Sequence, residues 1–176
     1  MLLAQTNAAS QSGKKNAIDA TILTHAATAE KFEELGTKIA EIPFTFEARK
    51  LSCVTRTHSG RTVLICKGAF EKVLSVCASV RSDCGVLQIN DQHYLDLRRR
   101  VQRFNANGYR VVLVATRDIS KSYGDDAFDF HGLDTDLTAE GLLTFLDPLK
   151  DDAKASVARL QGLSVDTRIL TVSAGK

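Results

Sequence analysis

The chain has 176 residues, with 23 Lys plus Arg against 21 Asp plus Glu, a formal net charge of +2, and 44% hydrophobic residues. This composition is that of an ordinary soluble protein with one domain and a short appended segment, and so small a net charge disfavours nucleic-acid binding. No apolar run reaches the roughly 18 residues that a membrane span needs, and the N-terminal segment lacks the apolar core of a signal peptide, so we expect a cytosolic chain.

The first predicted elements are a helix followed by strands. Apolar residues recur at helical spacing over 16–35, with Asn16 as the N-cap. Residues 39–46 are rich in strand-forming types. Two further strands, 50–58 and 61–67, flank a turn signal at Ser59-Gly60, which predicts an antiparallel hairpin.

Helical and strand patterns then alternate. Helical spacing over 69–81 is followed by a short strand at 85–89 and a second long helix at 91–107. Residues 109–117 contain a continuous apolar run, so we expect a central strand buried on both faces. Polar residues and glycines over 120–138 indicate a long surface excursion.

The pattern changes near Asp147-Pro148. A strand at 141–146, a helix at 151–160 and a strand at 165–171 follow a βαβ order, unlike the hairpins before them. The fold class predicted is α+β, an antiparallel sheet flanked by helices. We expect a flexible N-terminal segment, a main domain and a C-terminal fragment at 1–15, 16–146 and 147–176.

Local chemistry motifs are scarce. The chain lacks G-x-S-x-G, and its four cysteines form no C-x-x-C pair, so we interpret them as packing residues in a reducing compartment. The four histidines have no partner at motif spacing and are interpreted as structural or surface residues. The C-terminal Ala-Gly-Lys resembles the end of the phosphate-loop motif G-x-x-x-x-G-K. The first glycine of that motif would have to stand at position 170, which is Leu170.

Three turn motifs remain as candidates. They are Pro43-Phe44-Thr45-Phe46-Glu47, Lys67-Gly68-Ala69 and Gly108-Tyr109-Arg110. A lysine followed by glycine between a strand and a helix lets a ligand approach the backbone while the ammonium meets an anion. Taken singly, each motif is more often a turn or a core element than a binding site.

Together and in this order, the motifs resemble the nucleotide-binding domain of P-type cation-transporting ATPases, and are most similar to the bacterial magnesium-transporting branch. The resemblance runs from about Asn16 to Thr171. Its matching stretches are 19–23 (DATIL), 42–52 (IPFTFEARKLS), 67–74 (KGAFEKVL), 108–117 (GYRVVLVATR) and 143–148 (LTFLDP).

The resemblance implies an ATP site, with Mg²⁺ bound to the nucleotide. Phe46 corresponds to the aromatic residue that stacks on adenine, Lys67 to the lysine lining the pocket, and Gly68 to the glycine that leaves room for the ring. Asp19 aligns with an acidic residue near the adenine amino group, and Arg110 with an arginine that reaches toward the phosphates. Stacking and cationic side chains suit these roles physically.

The sequence also departs from the family. The phosphorylated Asp-Lys-Thr-Gly-Thr motif and the Gly-Asp-Gly metal-binding segment are absent, and the hinge motif stands as Asp147-Pro148-Leu149-Lys150, without its second proline. We therefore expect a cytosolic fragment of a membrane pump, with a nucleotide-binding domain at 16–146 followed at 147–176 by the hinge and a fragment of the phosphorylation domain. We expect this fragment to position ATP for an aspartate in a neighbouring domain, to have the phosphorylation and transmembrane domains as partners, and to be unable to turn over ATP alone.

Two other interpretations stay open. An interaction domain could keep this fold without useful nucleotide binding, although the presence of Phe46 and Lys67 favours the ATP-binding interpretation. An independent small enzyme is disfavoured because the sequence shows no evident nucleophile, metal site or general base.

Overall fold

The computed structural model describes residues 1–12, 16–28, 36–120, 132–146 and 152–168. The chain divides into two compact units, Met1–Leu146 and Asp147–Lys176. Across the described residues, every helix is too short or too polar to cross a membrane.

The first unit combines helices and one sheet, so the predicted α+β class is confirmed. Its helices are α1 (Leu2–Ser10), α2 (Ala17–Thr28), α3 (Phe70–Leu74) and α4 (Asp91–Ala106). Its strands are β1 (Gly36–Ile42), β2 (Lys50–Thr57), β3 (Thr62–Ala69), β4 (Cys77–Ser82), β5 (Gly85–Gln88), β6 (Tyr109–Asp118) and β7 (Leu137–Leu146).

The seven strands form one sheet in the order β1-β2-β3-β6-β7-β4-β5. Five neighbouring pairs are antiparallel, as predicted. The pair of β4 and β7 is parallel, which corrects the expectation of a wholly antiparallel sheet. The reason is the strand order. The chain does not turn back from β3 to pair β4 with it; it passes through α3, and β4 enters the sheet beyond β6 and β7.

Local patterns predicted several elements well. The β2–β3 hairpin turns at Gly60, whose φ of 82° lies in the left-handed region that glycine tolerates. Strand β6 is central, and residues 111–115 within it are all buried, as its continuous apolar run predicted. Helix α4 begins as predicted, because Asn90 Oδ1 accepts a hydrogen bond from the His93 backbone N–H at 2.9 Å.

The helix predicted over 69–81 is wrong in its second half. Phe70, Val73 and Leu74 occupy the buried face of the short helix α3, which ends at Leu74. Cys77 and Val80 fit the same period, but they reach the core from β4. Pairing with β5 and β7 therefore overrides the local helical spacing.

Other boundaries also move. Strand β1 ends at Ile42, before Pro43, rather than at residue 46, since proline cannot donate to a sheet ladder. Strand β7 begins at Leu137, inside the predicted surface excursion. Helix α2 is described as far as Thr28, and residues 29–35 of the predicted helix lie outside the described residues.

The sheet separates two apolar clusters, because successive strand residues point to opposite faces. Leu64 and Val54 pack with α3 and α4, whereas their neighbours Ile65 and Cys53 pack with α1 and α2. The sequence predicts no element before residue 16, yet α1 lies on this second face. Its Asn7 side-chain amide donates to the Ile65 carbonyl at 2.8 Å and is fully buried.

The described part of the second unit contains helix α5 (Ala153–Gly162), close to the predicted helix. Residues 165–168 form no strand, which corrects the first part of the strand predicted at 165–171. The remainder of that strand and the hinge residues Asp147 and Pro148 lie outside the described residues.

Candidate functional site

All five binding residues predicted for the first unit line one cavity of about 510 Å³. It opens between the start of α2, the turn joining β1 to β2, the end of β3 and the start of β6. The predicted residues around it are Asp19, Phe46, Lys67, Gly68 and Arg110. Its size suits a small-molecule ligand.

A nearly fully buried ion pair contributes to the cavity lining. Asp19 is in the first turn of α2, where its backbone N–H donates to the capping Asn16 Oδ1 at 2.9 Å. Lys67 Nζ on β3 donates to Asp19 Oδ1, and the two residues are 6% and 1% exposed. Each charge compensates the other where water is excluded, so the pair is electrically neutral as a unit.

Two aromatic rings lie at the cavity mouth. Phe46 is 89% exposed and Phe44 is 45% exposed. Their ring centroids are 5.8 Å apart at an interplanar angle of 80°, an edge-to-face contact. Both rings line the cavity, so each offers an apolar surface to a planar ligand. The sequence interpretation missed Phe44, although it stands in the same motif directly after Pro43.

The turn that carries Phe46 is held by hydrogen bonds of its own backbone. Arg49 N–H donates to the Thr45 carbonyl at 2.8 Å, and Ala48 N–H donates to Thr45 Oγ1 at 3.1 Å. Arg49 has a φ of 49°, a left-handed conformation that is uncommon for a residue other than glycine. The turn therefore presents its aromatic and cationic side chains from a defined backbone.

Gly68 lies where two strands approach closely. A Cβ atom at Gly68 would lie 2.4 Å from the Arg49 carbonyl oxygen and 2.6 Å from Lys50 Cα. The next residue closes the same junction, since Ala69 N–H donates to that carbonyl at 2.9 Å. This crowding explains the glycine by backbone contact, while the room that it leaves for a ligand ring stays a prediction.

Two arginines add positive charge to the cavity. Arg110, near the start of β6, is exposed, and Arg49 stands at the end of the aromatic turn. Because Lys67 and Asp19 compensate each other, the two guanidinium groups give the cavity lining a positive balance. Guanidinium groups bind phosphate oxygens in bidentate geometry. Arg49 was missed as a site residue, and its place in the turn motif was the available signal.

The four cysteines are not among the described residues that line this cavity. Cys53 and Cys66 are buried, in agreement with packing roles, whereas Cys84 is exposed. Burial raises the pKa of the Cys66 thiol to about 11 and that of Cys77 to about 12. In the described part of the chain, no group of three or more His, Cys, Asp or Glu side chains is arranged to hold a metal ion.

Comparison with known proteins gives a family match. The profile described as "P-type ATPase, cytoplasmic domain N" matches residues 5–152, most of the chain. The match includes every residue of the cavity described above.

Individual relatives agree with this match. The chain is 34% identical over 174 residues to "Magnesium-transporting ATPase, P-type 1" of Salmonella typhimurium, and 33% identical over 163 residues to the protein of that name in Escherichia coli K12. These alignments cover 97% and 92% of the chain but 19% and 18% of the relatives. "Calcium-transporting ATPase 3, plasma membrane-type" of Oryza sativa is 24% identical over 80% of the chain and 14% of that relative.

Proposed function

The chain belongs to the P-type ATPase family as a cytoplasmic N domain, and from this premise we propose that its cavity binds ATP and positions it for phosphoryl transfer. The observation that carries the proposal is the convergence of the five predicted residues on one cavity. These residues come from four separate segments, up to 91 positions apart between Asp19 and Arg110, and the fold brings all of them to one lining.

The cavity lining offers groups that suit both the base and the phosphates of ATP. Adenine would stack on Phe46 or Phe44, a contact worth about 1–3 kcal/mol by analogy with base stacking elsewhere. The Asp19–Lys67 pair offers both an acceptor and a donor to the edge of the base. Arg49 and Arg110 would bind the phosphates, which the neutral pair cannot do by net charge.

This chain would position the nucleotide and would not supply the groups that make or break bonds. Phosphoryl transfer needs an in-line nucleophile and a metal ion that bridges phosphate oxygens. The sequence contains no Asp-Lys-Thr-Gly-Thr motif, so the acceptor aspartate would come from another domain of the pump. Mg²⁺ would arrive bound to the nucleotide. Fixing the base and guiding the γ-phosphate lowers the entropic part of the barrier.

The transported ion is a separate proposal. The Salmonella typhimurium and Escherichia coli relatives, at 34% and 33% identity, are named as magnesium-transporting ATPases, whereas the Oryza sativa relative, at 24% identity, is named as a calcium-transporting one. We therefore propose that the chain is part of a magnesium-transporting pump at a membrane, with this domain on the cytoplasmic side and the phosphorylation and transmembrane domains as its partners.

Titration of the purified chain with ATP tests nucleotide binding. We expect amide signals of Lys67, Gly68 and Arg110 to shift and saturate, and binding to weaken by about 1–3 kcal/mol in Phe46→Ala or Phe44→Ala. The larger loss identifies the ring that stacks. Leu163→Ala, a change of an exposed side chain in the second unit, is the matched control. A folded parent chain that binds no ATP would instead favour an interaction domain that retains the fold.

A second measurement tests the positional role. After incubation with γ-labelled ATP and Mg²⁺, we expect no ATP turnover above background and no acid-stable label on the chain. Stoichiometric label after acid quench would mean that the chain carries its own nucleophile, and it would contradict the proposed division of roles.

A further inference from the structure

An ion pair between Lys50 and Asp134 lies next to the cavity wall without forming part of it. Lys50 Nζ donates to Asp134 Oδ2, and each side chain is 17% exposed. Lys50 is not among the described residues that line the cavity, whereas its two sequence neighbours Arg49 and Leu51 are. The pair is therefore placed to affect the cavity through the backbone.

The backbone beside Lys50 needs support. Arg49 holds a left-handed φ of 49°, a conformation that persists in a non-glycine residue when the surrounding structure enforces it. Burial contributes little to the turn before it, since Phe46 is 89% exposed. The hydrogen bond from Ala69 N–H to the Arg49 carbonyl fixes one peptide group of this junction.

The other end of the ion pair is itself held in place. Arg117 Nη1 donates to the Thr135 carbonyl at 2.9 Å and to the Leu133 carbonyl at 3.4 Å, on both sides of Asp134. Leu133 packs against the apolar cluster under α3 and α4. Asp134 is therefore presented to Lys50 from an anchored segment.

We propose that Lys50 and Asp134 are positioning residues for the nucleotide site: their ion pair fixes the end of the aromatic turn and so directs Arg49 toward the phosphates. This inference rests on the proposed ATP binding and extends it to two residues that are not among the described residues lining the cavity. It assigns an effect on the cavity to residues 132–136, the described segment before β7, none of which is among the lining residues.

Comparison of ATP with adenosine separates positioning from general stability. The variants are Lys50→Met, Asp134→Asn and the double variant, with Lys50→Arg as the conservative replacement. Lys38→Met is the matched control, because Lys38 is paired with Glu41 on β1 and does not line this cavity among the described residues. Dissociation constants for both ligands and an amide fingerprint are measured for each.

We expect each single variant to lose about threefold to tenfold in ATP affinity, since the pair is intermediate between exposed and buried ion pairs. Adenosine affinity should stay near that of the parent, the double variant should be no weaker than the singles, and Lys50→Arg should retain ATP binding. If Lys50→Met does not fold, the isosteric Asp134→Asn carries the comparison.

Two results would overturn the inference. One is parent-like ATP affinity in the folded variants; the other is an equal loss for ATP and adenosine, which a merely structural role would produce. In both cases the parent chain still binds ATP, so the proposed function survives. A parent chain that binds no ATP refutes both.

Discussion

Lys67 and Asp19 form a nearly fully buried ion pair that joins β3 to the first turn of α2. The pair therefore links the sheet to a helix that contributes a wall of the cavity. Because each charge is compensated mainly by the other, removal of one partner costs more than removal of both.

We expect Asp19→Ala to lower the free energy of unfolding by about 3–5 kcal/mol, because it leaves the Lys67 ammonium buried without the Asp19 carboxylate. Lys67→Met in the same chain should restore part of that loss. Urea unfolding of the parent, the single variant and the double variant measures the difference. A double variant less stable than Asp19→Ala alone would contradict this account.

Gly68→Ala should destabilise the first unit by about 1–3 kcal/mol, because the added methyl group collides with the Arg49 carbonyl and Lys50 Cα. Gly141→Ala is the matched control in a strand of the same sheet, since a Cβ atom there meets nothing within 4 Å. Thermal unfolding of both variants is the measurement. Equal unfolding midpoints for the two variants would contradict this account, because β2 and β3 would then accommodate the methyl group without loss of stability.

Stability should fall in acid partly through Glu140. Burial alone would raise the pKa of this carboxyl, but hydrogen bonds from Arg81 and Thr116 outweigh burial and lower the pKa from its ordinary value. A carboxyl with a lowered folded-state pKa stabilises the fold above its unfolded pKa and loses that contribution as pH falls through the folded value.

Glu140→Gln should therefore be less stable than the parent at pH 7, and the difference should shrink as the pH is lowered below about 4.5. Urea midpoints between neutral and acid pH check this expectation. A gap that stays constant across that range would show that Glu140 does not titrate with unfolding.

Thiol labelling should be selective. Cys84 is exposed. Burial raises the pKa of Cys66 to about 11 and that of Cys77 to about 12, so only a small fraction of each of these thiols is ionised near neutral pH. We expect one fast-reacting thiol at pH 8, which Cys84→Ser removes, and reaction of the others after unfolding. Fast labelling that persists in Cys84→Ser would contradict this assignment.

The parts of the fold that the sequence predicted are those in which local pattern and tertiary packing agree. The apolar run of β6 and the hydrogen-bonded cap of α4 are each recognisable from a few consecutive residues. Strand β4 was missed because its pairing with the distant β7 overrides local spacing. Helix α1 has little apolar periodicity, and Asn7 anchors it through a hydrogen bond to β3.

The candidate site was reached mainly through resemblance, because each turn motif alone is common. Local reasoning could have added Phe44 and Arg49, which stand beside the predicted Phe46. The Lys50–Asp134 pair could not be predicted in this way, since its partners are 84 positions apart. Their contact depends on the path of the chain just before β7, which no local pattern predicts.

The position of β7 also determines when the sheet can form during synthesis. This strand is made after the other six, yet it lies inside the sheet between β6 and β4. Until it leaves the ribosome, the β4–β5 hairpin has no strand on its inner side, and the outer edge of β6 stays open. A nascent chain that stops before Leu137 would expose both edges to intermolecular pairing, so this sheet is most vulnerable to aggregation in the interval before β7 is made.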